Sequence, residues 1–176
     1  SAAGRIADAE REISIAVEAD RKSNNQTLAA AARLESFGTI LRRKGDYRAA
    51  APILRESIER HQKLKGENAT ARASNELALA HQRAGEHEQA MEAFARTKRL
   101  AARVFGPDHA NIAMIGGSVA FSLLKLGRYA EAELETRNAL SIGEKAMGPQ
   151  HPRLADLWFT IGEALQGQKK NPAEAD

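Results

Sequence analysis

Between residues 69 and 84, apolar Leu77, Ala78, Ala80 and Ala84 recur at helical spacing. A second stripe, Ala90, Met91, Phe94, Leu100, Ala101 and Val104, follows between residues 88 and 105. The pattern predicts two helices over roughly those ranges. Gly85 divides them, as a glycine that ends a helix in the left-handed region does. Gly106-Pro107 stops the second, because proline cannot continue a helix. So short a turn makes the two helices antiparallel neighbours. Neither buries its stripe alone, so the pair needs further pairs to stack on.

The same punctuation recurs along the chain. Gly4-Arg5-Ile6-Ala7-Asp8-Ala9, Gly45-Asp46-Tyr47-Arg48-Ala49-Ala50, Gly85-Glu86-His87-Glu88-Gln89-Ala90 and Gly127-Arg128-Tyr129-Ala130-Glu131-Ala132 align, with glycines 41, 40 and 42 apart (45−4, 85−45, 127−85). Phe105-Gly106-Pro107-Asp108-His109 returns as Met147-Gly148-Pro149-Gln150-His151, 42 later (148−106), and Leu64-Lys65-Gly66 is a shorter version aligned on Gly66. A small residue stands seven before each turn glycine, at Gly38, Ala78 and Ala120, and Gly162 continues that series. Three markers in one register define a unit of two helices, A then B, repeated over most of the chain.

These residues resemble tetratricopeptide repeats. The small residue of helix A, the turn glycine followed two later by Tyr or His, and Ala50, Ala90 and Ala132 of helix B stand at that family's marker positions. The longer unit is similar to the repeats of kinesin light chains and of many bacterial regulatory proteins. Thr136 departs from the family's preference for a bulky apolar residue, and Lys169 replaces a turn glycine. The resemblance implies an all-α fold, a right-handed α-solenoid superhelix of antiparallel helix pairs. It divides a single domain, 1–176, into helix B of a partial repeat (4–26), repeats at 27–68, 69–109 and 110–152, and a partial repeat (153–176). Asn171-Pro172-Ala173-Glu174 reads as the start of another helix B. The expected whole is a segment of a longer array or protein.

The resemblance also implies a concave groove lined by helix A. Relative to the small marker, its positions are Ala32, Glu35, Thr39, Arg42 and Arg43, then Arg72, Asn75, Leu79, Gln82 and Arg83. They continue as Met114, Gly117, Phe121, Leu124 and Lys125, then Asp156, Phe159, Glu163, Gln166 and Gly167. Arg43, Arg83 and Lys125 share one position in successive units. They read either as a basic ladder for acidic side chains or a terminal carboxylate, or as cations that favour the C-terminal turn of each helix A. Arginines make the first half of the groove basic, while Met114, Phe121, Leu124 and Phe159 make the second half apolar or else pack between helices. Gly116-Gly117 within a helix A implies close packing of a neighbour or close approach of a ligand. The family's clamp for terminal carboxylates needs Lys and Asn at set positions. Only Asn75 matches in type, so that activity is not carried over.

Composition narrows the function classes. Lys+Arg number 26 and Asp+Glu 23, a net charge of +3 with the signs interleaved, which is no nucleic-acid footprint. There is no cysteine, which excludes disulfides and thiol chemistry. No apolar run approaches a membrane span, and a cytoplasmic setting is expected. His61, His81, His87, His109 and His151 lack metal-site spacing. His109 and His151 are equivalent loop positions and read as structural. No phosphate-binding glycine loop or nucleophile motif is present. The sequence therefore points to a non-enzymatic scaffold without cofactor, binding a protein or peptide with acidic groups. A sensor domain of a kinase or transcription regulator, or a module that self-associates through its end helices, are the other readings.

Overall fold

The computed structural model of the protein describes residues 2–170. Those residues form eight α-helices and no strand: α1 (Ala2–Lys22), α2 (Leu28–Lys44), α3 (Tyr47–Lys63), α4 (Glu67–Arg83), α5 (His87–Phe105), α6 (Ala110–Lys125), α7 (Tyr129–Met147) and α8 (Ala155–Lys170). A 3-10 turn, Pro152–Leu154, leads into α8. The segment 171–174, read above as a helix start, lies outside the described residues. The chain forms two compact units, Ser1–Glu86 and His87–Asp176.

In the first unit, Thr27 caps α2 by accepting from the Ala30 N–H at 3.3 Å. Gly45, at φ +95°, ends it. The Asp46 N–H returns to the Leu41 carbonyl at 2.9 Å, closing a Schellman turn, while the Asp46 carboxylate caps α3 by accepting from Ala49 N–H at 3.1 Å. The turn can be this short because one residue closes one helix and opens the next. Glu86 and Arg128 return to His81 and Leu123 in the same way, after Gly85 and Gly127. Leu41, Ala50, Leu54 and Ala80 form the buried centre of this unit, flanked by Phe37, Ile53 and Leu77. Leu54 leans into the gap at Gly38, where a Cβ would stand 2.5 Å from its Cγ.

Loops from a helix B to the next helix A reverse at a left-handed residue. These are Asn24 (φ +50°), Lys65 (φ +55°), Gly106 (φ +90°) and Gly148 (φ +89°). The counterpart of Gly106 is thus Lys65. Gly66, aligned with it in the sequence, has φ −82° and stands one residue on, at the N-cap of α4. His109 and His151 are both N-caps after these loops. Nδ1 of His109 accepts from Asn111 N–H at 3.1 Å, and Nδ1 of His151 from Arg153 N–H at 3.2 Å.

In the second unit, Ala139, Leu140, Leu154, Leu157 and Ile161 form one buried cluster, and Leu123, Ala132 and Ala164 another. Close packing explains the paired glycines of α6. A Cβ on Gly116 would stand 2.8 Å from that of Ala139, and one on Gly117 2.7 Å from Leu157 Cδ2. Thr136 is fully buried. Its hydroxyl donates to the Ala132 carbonyl at 2.6 Å, so a polar side chain fills an apolar position without an unmet hydrogen bond.

Candidate functional site

Helix A turns one stripe toward its helix B. In α2 that stripe is Ala31, Leu34, Gly38 and Leu41, all buried. The candidate binding positions lie on the remaining faces. In the first unit, α2 and α4 are tied across them by two ion pairs of opposite sense. Arg72 of α4 donates to both carboxylate oxygens of Glu35, at 3.0 and 3.3 Å. Arg42 of α2 donates to Glu76 at 2.7 Å. Arg72 and Arg42 are therefore neutralised within the unit, and the basic surface read from the sequence narrows. Arg43 and Arg83 remain exposed at equivalent places, the last turns of α2 and α4, with no partner among the described residues. Thr39, Asn75, Leu79 and Gln82 are half-buried beside them.

Beneath Glu35 lies His61, 2 % exposed, with neither ring nitrogen in a hydrogen bond and Nε2 3.5 Å from a Glu35 oxygen. Burial pushes its pKa below the ordinary histidine value. Glu35 opposes that shift and Arg72 adds to it. The neighbouring carboxylate in turn raises the Arg72 pKa. His81, also buried, is held by Arg55, 3.3 Å from its Nε2, and by Glu86, 2.5 Å from its Nδ1. Because arginine only donates, Nε2 accepts and Nδ1 carries the proton toward Glu86.

In the second unit the candidate positions divide. Met114 packs against the Leu154–Leu157 cluster, Leu124 against the Leu123 cluster, and Gly117 receives Leu157. These three serve packing. Phe121 is 40 % exposed and Phe159 68 % exposed, and Lys125 and Asp156 are exposed beside them in sequence. Lys125 Nζ stands 5.1 Å from the centre of the Phe121 ring, a cation–π distance, and the His87 ring meets Phe121 edge-on at 6.4 Å. Sequence reasoning passed over Trp158, which is 52 % exposed on α8. It stands at a stripe position that is buried in α2, α4 and α6 as Leu34, Ser74 and Gly116, and only its exposure marks it out.

Among the described residues, no group of three or more His, Asp or Glu side chains is placed to hold a metal ion. No helix among them is long and apolar enough to cross a membrane. The candidate positions present guanidinium groups in the first unit and aromatic rings with a cation in the second.

Two family models, each described as tetratricopeptide repeat, match residues 30–68 and 69–134. No curated protein matches the sequence. Among solved structures, BtubC (BKLC) of P. vanneervenii is similar, with a TM-score of 0.71 and 21 % identity over 99 % of this chain and 74 % of that one. A Podosopora anserina chain described as a putative kinesin light chain with nearly identical TPR-like repeats gives a TM-score of 0.79 and 17 % identity over 98 % of this chain and 83 % of that one. A point variant of that protein gives 0.80 and 16 % over 98 % and 82 %. At these identities the likeness is one of fold.

Proposed function

The chain belongs to the tetratricopeptide repeat family, and from that premise we propose that it is a non-enzymatic scaffold that holds a peptide or protein on the helix-A positions of its repeats. Repeats of this family are generally protein–protein interaction modules. The observation that carries the reading is the exposure of Phe121 and Phe159, large apolar rings at helix-A positions of the second unit. Exposed aromatic side chains beside polar groups are the usual anchors of an interface. Lys125 beside Phe121 favours an acidic residue next to the anchor. In the first unit Arg43 and Arg83 favour acidic groups, by bidentate hydrogen bonds to carboxylates. The partner is thus a segment with acidic groups and an aromatic or aliphatic anchor.

A displayed library of acidic peptides, each with one apolar anchor, tests this. Binders are expected to lose roughly tenfold or more in affinity to Phe159→Ala, the scale of an interface anchor. Arg83→Glu is expected to weaken binding and flatten its salt dependence. Affinity indifferent to both variants rejects the reading. Indifference to Arg83→Glu alone assigns Arg43 and Arg83 to the helix dipole.

A further inference from the structure

Glu35 of α2 stands between two nitrogen groups that compete for it. From α4, Arg72 Nε donates to Oε1 at 3.0 Å and Nη2 to Oε2 at 3.3 Å. From α3, Nε2 of the buried His61 approaches the same Oε2 at 3.5 Å, beyond a good hydrogen bond. The oxygen that takes the longer arginine bond is therefore the one that faces the histidine. The three groups differ in freedom. The Arg72 side chain is 63 % exposed and that of Glu35 15 %, while His61 is enclosed on all sides.

The His61 ring has no other polar neighbour to satisfy it. Nδ1 faces the Gly66 corner, where a Cβ would stand 3.6 Å from it, and makes no hydrogen bond. Arg60, the preceding residue of α3, is turned to Glu56 at 2.7 Å and to the Asn25 carbonyl at 2.9 Å. The charged groups that act on the ring are Glu35 from α2 and Arg72 from α4. A proton on Nε2 therefore has one place to go, which is Oε2 of Glu35.

We infer that protonation of His61 releases Arg72 from Glu35 and adds its guanidinium to the helix-A surface, so that the first unit holds acidic partners more tightly as the pH falls. The new imidazolium donates to Oε2 and repels the guanidinium beside it. A charged donor outcompetes the long arginine bond. Arg72 is the member of the three that is free to leave, and it leaves into solvent at a helix-A position, with Arg43 and Arg83 on the same unit. Burial keeps the ring neutral to a lower pH than an ordinary histidine, against the pull of Glu35, so Arg72 is held at neutral pH and released below it. The effect on binding rests on the proposed use of this surface for acidic peptides, whereas the exchange of partners at Glu35 does not.

Nuclear magnetic resonance of the full chain between pH 7.5 and 5 tests the exchange. The Arg72 Nε–H signal is expected to move with the same midpoint as the His61 ring, and to stay still in His61→Gln, which keeps the other four histidines. A ring that stays neutral until the chain unfolds overturns the inference, as does an Arg72 signal that ignores the ring or moves equally in His61→Gln. The affinity of a selected acidic peptide is expected to rise about two- to fivefold between pH 7.5 and 5.5, the scale of one exposed ion pair, beyond any rise in His61→Gln. Arg72→Gln is expected to abolish that excess while its His61 ring still titrates, and it supplies the comparison if circular dichroism shows His61→Gln unfolded. An excess that survives Arg72→Gln overturns the role of Arg72. A library without binders rejects the proposed function, and the resonance comparison still decides the exchange.

Discussion

His61 and Gly38 show how much the surroundings of a single residue decide. In the unfolded chain a histidine takes up its proton near pH 6.5. In the fold, burial holds His61 neutral to lower pH, against the opposing pull of Glu35. The unfolded state therefore binds more protons through that window, and stability falls as the pH is lowered below about 6.5. Urea midpoints at pH 7.5 and 5.5 are expected to show the fall, and His61→Leu to reduce it. A fall of equal size in the variant assigns it to other groups. The marker glycines give a second contrast. Gly38→Ala drives a methyl into Leu54 and is expected to cost roughly 1–2 kcal/mol, as overpacking does. Gly162→Ala meets open space and is expected to stabilise α8 by about 0.5–1 kcal/mol through helix propensity alone. Thermal melts of the two variants should shift in opposite directions.

At the scale of helices and turns, most of the fold was legible in the sequence, because turn glycines and Gly-Pro-x-His loops are local signals. The left-handed corner at Lys65 was not. A lysine reaches that conformation only under tertiary constraint, so the eye goes to the adjacent Gly66. A non-glycine residue there costs roughly 1–2 kcal/mol, and Lys65→Gly is expected to recover about 0.5–1 kcal/mol of it, net of the added freedom of the unfolded chain. An unchanged melting temperature would show that the corner carries no strain. The candidate site was less legible for a related reason. Arg42 and Arg72 are basic in sequence, but their partners Glu76 and Glu35 lie 34 and 37 residues away on the neighbouring helix A. No local pattern separates them from Arg43 and Arg83, which have none among the described residues. Likewise, only the three-dimensional packing of Leu157 against Gly117 separates a packing position from the exposed Phe121 and Phe159.

Over the whole molecule, stability in such repeats is approximately a sum of each repeat's own stability and its contacts with its neighbours. Among the described residues, α1 packs chiefly on α2 and α8 chiefly on α7, whereas α2, α3, α6 and α7 each pack on helices to both sides. Native-state hydrogen exchange is expected to be fastest in α1 and α8 and slowest in the helices around Leu54 and Leu140. Uniform protection along the chain would contradict that gradient. The left-handed corners have a consequence for descent. Excising residues 107–148 would join Gly106 to Pro149 and write Gly-Pro-Gln-His across the scar, the same four-residue signature that Gly148 heads in the intact chain. A duplication between the same two points would leave an equally clean junction. Genetic recombination at these corners can therefore lengthen or shorten the protein by one whole copy without inventing a new loop.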